Sequence, residues 1–110
     1  MLVVLNDRNL DEELGRLKEA PLLVDCWSPR AEYCRYNAPV VDEISRGGSG
    51  GPMVGKLNVD ENPFAAARFA VRIVPSLLLF LEGRLVGRLS GACNRSAVEK
   101  FLREYGVETV

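Results

Sequence analysis

The chain has 110 residues, 47% of them hydrophobic and 26% charged, with a formal net charge of −1. That length suits a single domain, residues 1–110, able to bury its own core, and the near-neutral balance gives no electrostatic case for nucleic acid or a membrane surface. With no histidine, and three cysteines that form no Cys-x-x-Cys pair, the sequence excludes Ser-His-Asp and Cys-His catalysis and offers no metal cage or cofactor site, so chemistry has to come from thiols, carboxylates or backbone.

The start, MLVVLNDRN, lacks the basic opening and long apolar core of a secretory signal. No apolar run approaches the roughly 20 residues that span a bilayer. The expectation is a cytoplasmic, reducing compartment, which an odd cysteine count also suits. Leu2 to Leu5 reads as a short strand. Asn9 or Asp7 is placed to cap a helix with Asp11, Glu12 and Glu13 in its first turn and Leu10, Leu14 and Leu17 on one buried face.

Pro21 ends that helix, and the stretch PLLVDCWSPRAEYCRYNAP follows. Leu22, Leu23 and Val24 form an apolar run of the kind buried on both faces of a sheet. Asp25 puts a carboxylate into that strand, where an unpaired charge costs several kcal/mol unless it is paired or protonated. Trp27 follows, Ser28-Pro29 breaks the strand, and a helix is expected from Ala31 onward. Cys34 would lie about one turn inside it, near the positive end of the helix dipole and near the buried carboxylate. Pro39 is expected to kink this helix without ending it, because Val40, Val41 and Ile44 resume the buried spacing. The glycine-rich run Gly47 to Pro52 terminates it. Gly50 to Lys56 nearly matches a phosphate-binding loop, but Leu57 stands where Ser or Thr is needed and MVGKLNV reads as a strand.

Asp60 to Pro63 leads into a short helix, Phe64 to Phe69. Strands Ser76–Leu81 and Arg84–Ser90 flank an expected turn at Glu82-Gly83. Pro75, after Val74, is either the first residue of its strand or a cis proline in a tight turn. Cys93 lies in a loop, and Asn94 caps a last helix that buries Val98, Phe101 and Leu102 and ends near Gly106. The order β α β α β α β β α predicts an α/β fold, a central mixed sheet flanked by helices on both faces, with a parallel part and a terminal antiparallel hairpin.

Several pieces together resemble the thioredoxin family over nearly the whole chain: VDxW at Val24–Trp27, Ser28-Pro29, Cys34-Arg35, APVVDEI at Ala38–Ile44, KLNVDENP at Lys56–Pro63, VPSLLLF at Val74–Phe80 and GRLSGA at Gly87–Ala92. The resemblance implies the thioredoxin fold and roles in redox homeostasis. It implies that Asp25 is the buried carboxylate behind the active site, with Trp27 and Lys56 in support. Pro75 would be a cis proline that presents backbone to a docked peptide, in a groove formed with Arg30, Val74, Gly91 and Ala92. Clients would be protein or peptide thiols and disulfides, with a thioredoxin reductase or glutathione as reducing partner, and the chain a monomer. Cys34 would be the resolving cysteine of a Cys-x-x-Cys pair.

The departure falls on the other cysteine. Ala31 stands in the place of the family's nucleophile, Arg30 replaces the usual aromatic before it, and Glu32-Tyr33 replaces the usual Gly-Pro. Disulfide reduction needs a thiolate to attack and a second thiol to resolve the mixed disulfide. The expectation is therefore a thioredoxin-type protein whose dithiol turnover is lost or much reduced; the alternative is a redox-inactive module that binds peptides in the cis-proline groove. Cys34 is either a small buried hydrophobe or a slow single thiol. Cys26 reads as core, and Cys93, in a loop near the expected groove, as a surrogate partner for Cys34 only if their Cα atoms lie within about 7 Å.

Overall fold

Alternation along the strands sorts the apolar side chains of this chain into two layers, one on each face of a five-stranded sheet. The computed structural model describes residues 2–47 and 50–109. Its elements in order are β1 (Leu2–Leu5), α1 (Leu10–Arg16), β2 (Leu22–Trp27), α2 (Cys34–Ser45), β3 (Met53–Asn58), α3 (Pro63–Arg68), β4 (Ser76–Leu81), β5 (Arg84–Ser90) and α4 (Arg95–Glu104). Gly48 and Ser49, in the middle of the expected helix-ending run, lie outside the described residues.

Across the sheet the strand order is β1-β3-β2-β4-β5. β1 and β2 each run parallel to β3, whereas β4 pairs antiparallel with both β2 and β5. On one face Leu10 and Leu14 of α1, Leu17 just after it, and Ala65 and Phe69 from the α3 region cover Leu22, Val24, Cys26 and Leu57. On the other, Val41 and Ile44 of α2 and Val98, Phe101 and Leu102 of α4 cover Leu23, Val54, Leu77 and Leu79. β3 allows little room on the first face: a Cβ on Gly55 would come within 2.9 Å of Leu5 Cδ1, so glycine lets β1 and β2 close over it. The β4–β5 turn has both Glu82 and Gly83 at positive φ, the geometry that matches the twist of a two-residue hairpin.

Two local expectations are corrected. Helix α1 has Asn9 before its first residue but no side-chain cap; Asn9 Oδ1 accepts instead from the Asn6 N–H at 2.8 Å. Asp7, the other candidate, caps a helix elsewhere. Its carboxylate accepts from the N–H groups of Phe64 and Ala65, at 3.3 and 2.7 Å, at the start of α3. Pro63 leads that helix and has no N–H to offer, so the next two amides are the ones left to satisfy. The second correction is to α2, which starts at Cys34 and not at Ala31. Residues 31–36 are joined by tighter i→i+3 bonds, Cys34 N–H to Ala31 O at 3.1 Å and Tyr36 N–H to Tyr33 O at 3.1 Å. Pro39 stays inside α2, as expected.

The cap makes a long-range test. Asp7→Ala should cost about 1 kcal/mol in urea unfolding, because it strands two amides of α3, while Asn9→Ala leaves α3 capped. Equal losses in the two variants would mean that Asp7 acts on α1 after all.

Candidate functional site

Asp25 shares the α2 face of β2 with Leu23, and its register partner on β3 is Lys56. Its carboxylate is 1% exposed. Lys56 Nζ lies 3.2 Å from Asp25 Oδ2 and 3.3 Å from Asp42 Oδ1 on α2, so one ammonium ties the two carboxylates together. Asp25 Oδ1 has no partner among the described residues. Burial raises the Asp25 pKa; the Lys56 charge and hydrogen bond pull the other way, and Asp42 adds to the rise.

Cys34, as the first residue of α2, lies at the positive end of the helix dipole, and its Sγ accepts a hydrogen bond from the Ser28 N–H at 3.4 Å. Both favour the thiolate. The side chain is only 7% exposed, however, and burial outweighs them: the Cys34 thiol is pushed up, with the Asp25 and Asp60 charges adding to the rise.

The turn that supplies the Ser28 amide is held from the β3–α3 loop. Ser28 Oγ donates to Asp60 Oδ2, and Arg30 clasps the same carboxylate with two bonds, Nε to Oδ2 at 3.1 Å and Nη2 to Oδ1 at 3.0 Å. Arg30 is thus committed to Asp60, although its side chain is 84% exposed. Its hydrogen bonds hold Asp60 below the usual carboxylate range.

The segments the resemblance assigned to a groove are joined to α2 by hydrogen bonds. The Val74–Pro75 peptide is cis. Pro75 O accepts from the Gly91 N–H at 2.8 Å, and Gly91 O accepts from Asn37 Nδ2 at 3.4 Å. Asn37, buried on α2 one turn after Cys34, also accepts the Cys93 N–H at 2.8 Å. Ala92 lies in the loop that Asn37 pins. Neither Asn37 nor Asp60 was foreseen as a site residue. Asn37 had a signal, a polar residue in phase with Cys34, Val41 and Ile44 on the inward face of a helix; Asp60 had none, since an acidic loop residue beside a proline reads as a helix start.

The sulfurs do not pair: Cys26, Cys34 and Cys93 are all free. Cys26 faces the α1 layer, opposite to Asp25, and burial with the nearby Asp25 charge pushes its thiol up to about 12. Cys93 is half-buried, and its Sγ donates to Gly91 O at 3.2 Å. No group of three or more Cys, Asp or Glu side chains that could hold a metal occurs among the described residues. A cavity of about 940 Å³ opens beside Cys34, and Asp25, Trp27, Ala31 and Lys56 line it with Asn58 and Glu61. Val74, Pro75, Gly91 and Ala92 are not among its lining residues; their link to α2 runs through Asn37.

Comparison with known proteins points one way. The Thioredoxin family model matches residues 1–104. Thioredoxin of Synechocystis is 42% identical over 87 residues, 79% of this chain and 81% of that protein. Thioredoxin of Buchnera aphidicola is 35% identical over 103 residues, 94% of each chain. Pea chloroplast thioredoxin M-type is 34% identical over 102 residues, 93% of this chain and 59% of that protein.

The raised Asp25 pKa sets a pH dependence. The folded state holds that proton more tightly than the unfolded chain, so Asp25 contributes stability below its ordinary value near 3.8 and loses it as pH rises through the raised folded value. Asp25→Asn should therefore unfold at higher urea than the parent at neutral pH, with the gap closing toward acid. Equal midpoints at neutral pH would mean that Lys56 fully offsets the burial of the charge.

Proposed function

The chain belongs to the thioredoxin family, and on that premise we propose that it is a thiol–disulfide redox protein reduced to one working sulfur, Cys34. Ala31, in the place of the family's attacking cysteine, removes normal dithiol turnover or cuts it to a small fraction. The observation that carries this reading is the placement of the three free cysteines. Cys26 is sealed in the opposite layer and Cys93 is bonded into its own loop, which leaves Cys34 with no second thiol at position 31 to resolve a mixed disulfide.

The supporting groups match that role. Asp25 and Lys56 form the buried charge pair behind the sulfur, and Trp27 walls the adjacent cavity. The Ser28 amide, steadied by Asp60, is the donor that a Cys34 thiolate needs. Clients are protein or peptide thiols and disulfides, approaching along Val74, Pro75, Gly91 and Ala92 with Arg30 at the margin; the reducing partner is a thioredoxin reductase or glutathione. We assign the whole chain, residues 1–110, to one such domain, working as a monomer in a reducing cytoplasm. No helix among the described residues is long and apolar enough to cross a membrane.

A second reading has its own support. The exposed Ile73 and Tyr33 side chains, close in sequence to Pro75 and Cys34, suit a surface that holds an extended peptide, with no redox step.

Insulin disulfide reduction by dithiothreitol separates the two. The chain as it stands should leave the uncatalysed rate unchanged, and Ala31→Cys should accelerate it. Acceleration by the unmodified chain, lost in Cys34→Ser, would overturn the claim that Ala31 blocks turnover. Inertness of both would put the peptide-binding reading first.

A further inference from the structure

The 940 Å³ cavity does more than border Cys34. β1, β3 and β2 run parallel, and the helices that follow β1 and β2 lie on opposite faces of the sheet. The carboxyl ends of such strands, at the point where the connections part to either face, form the crevice in which α/β sheets bind ligands. Asn6, just past β1, Asn58 at the end of β3 and Trp27 at the end of β2 all line this cavity. Its volume falls inside the roughly 300–1,000 Å³ range of small-molecule pockets.

Its charges are unevenly spent. Carboxylates line it at Asp25, Glu32 and Glu61, and cations at Lys56 and Arg35. Both cations are engaged: Lys56 with Asp25 and Asp42, at 3.2 and 3.3 Å, and Arg35 with Glu32 at 3.3 Å. What remains is acceptor capacity. Among the described residues Glu61 meets the Asn58 amide at 3.1 Å and no cation, and the buried Asp25 Oδ1 has no hydrogen-bond partner. An unpartnered buried oxygen beside an open cavity calls for a donor.

We infer that this cavity admits a second class of substrate, a low-molecular-weight disulfide carrying ammonium groups, of the aminothiol type, and delivers it to Cys34. The inference rests on Cys34 being the working sulfur. Glu61 and Asp25 receive the ammonium ends. Cys34 sulfur, as the thiolate, attacks one sulfur of the disulfide; that S–S bond breaks, a Cys34–S–S–R bond forms, and the second half leaves as a thiolate. The Cys34 proton passes to solvent and the leaving thiolate takes one up, so Cys34–SH and RSSR become Cys34–SSR and RSH. No thiol at position 31 reverses the step, and the chain retains one small thiol until an external thiol removes it.

The test uses the full chain carrying Cys93→Ser, so that Cys34 is the accessible sulfur. Intact mass spectrometry follows adduct formation with cystamine, which is cationic, and with bis(2-hydroxyethyl) disulfide, which is neutral. N-acetylcysteine supplies the reference ratio of the two rates. The cystamine preference of the chain should exceed that reference by roughly two- to fivefold, as one exposed, partly screened charge contact gives. It should fall to the reference value in Glu61→Gln and in high salt. A ratio equal to the reference in the parent chain overturns the cavity's selectivity and leaves Cys34's role standing. A preference that survives both Glu61→Gln and salt overturns the assignment to these carboxylates. Failure of folded Cys34 to react with either probe, when the urea-unfolded chain reacts with both, overturns the single-thiol reading and this inference with it.

Discussion

A carboxylate in the middle of a buried strand has to be answered, and the structure around Cys34 is arranged by that answer. Asp25 has Lys56 as its register neighbour on β3, and Lys56 reaches Asp42 on α2 as well. Three charges therefore join the central strand, its parallel neighbour and the thiol-bearing helix. The join is incomplete, since one Asp25 oxygen is left over. A buried pair of this kind adds little net stability, because desolvating the charges offsets their attraction.

At Cys34 two opposed tendencies meet, and their relative size decides the character of the thiol. The helix start and the Ser28 amide lower the cost of a thiolate; removal from water raises it, and two nearby carboxylates raise it further. The result is a sulfur that is aimed and supported yet reluctant to ionise. Ala31, less buried than Cys34, lies in the turn before α2.

Much of this could be read from the residues, because the informative signals were local. The apolar run Leu22 to Val24 interrupted by Asp25, the turn at Glu82-Gly83 and the cap at Asn94 each rest on a few neighbouring positions, and each is seen as expected. What escaped is pairing over long separations. Capping chemistry announced that Asp7 would bond a helix start, but not that the helix lay 57 and 58 residues further on. Asp60 looked like a loop acid because nothing near it in sequence reveals Ser28 and Arg30 as its partners. The boundary of α2 moved for a different reason: i→i+3 turns over residues 31–36 satisfy the same spacing as helix, and periodicity does not separate the two.

Cys26 and Cys34 are eight residues apart, yet the sheet stands between them. Cys26 points into the α1 layer, where no water reaches it, and it stays unreactive as long as that layer holds. A thiol probe that fails on Cys26 is therefore reporting on cohesion and not on chemistry. Its labelling rate becomes a stopwatch for the opening of the whole domain. In Cys26 the molecule thus carries a sulfur that records whether the protein is still folded.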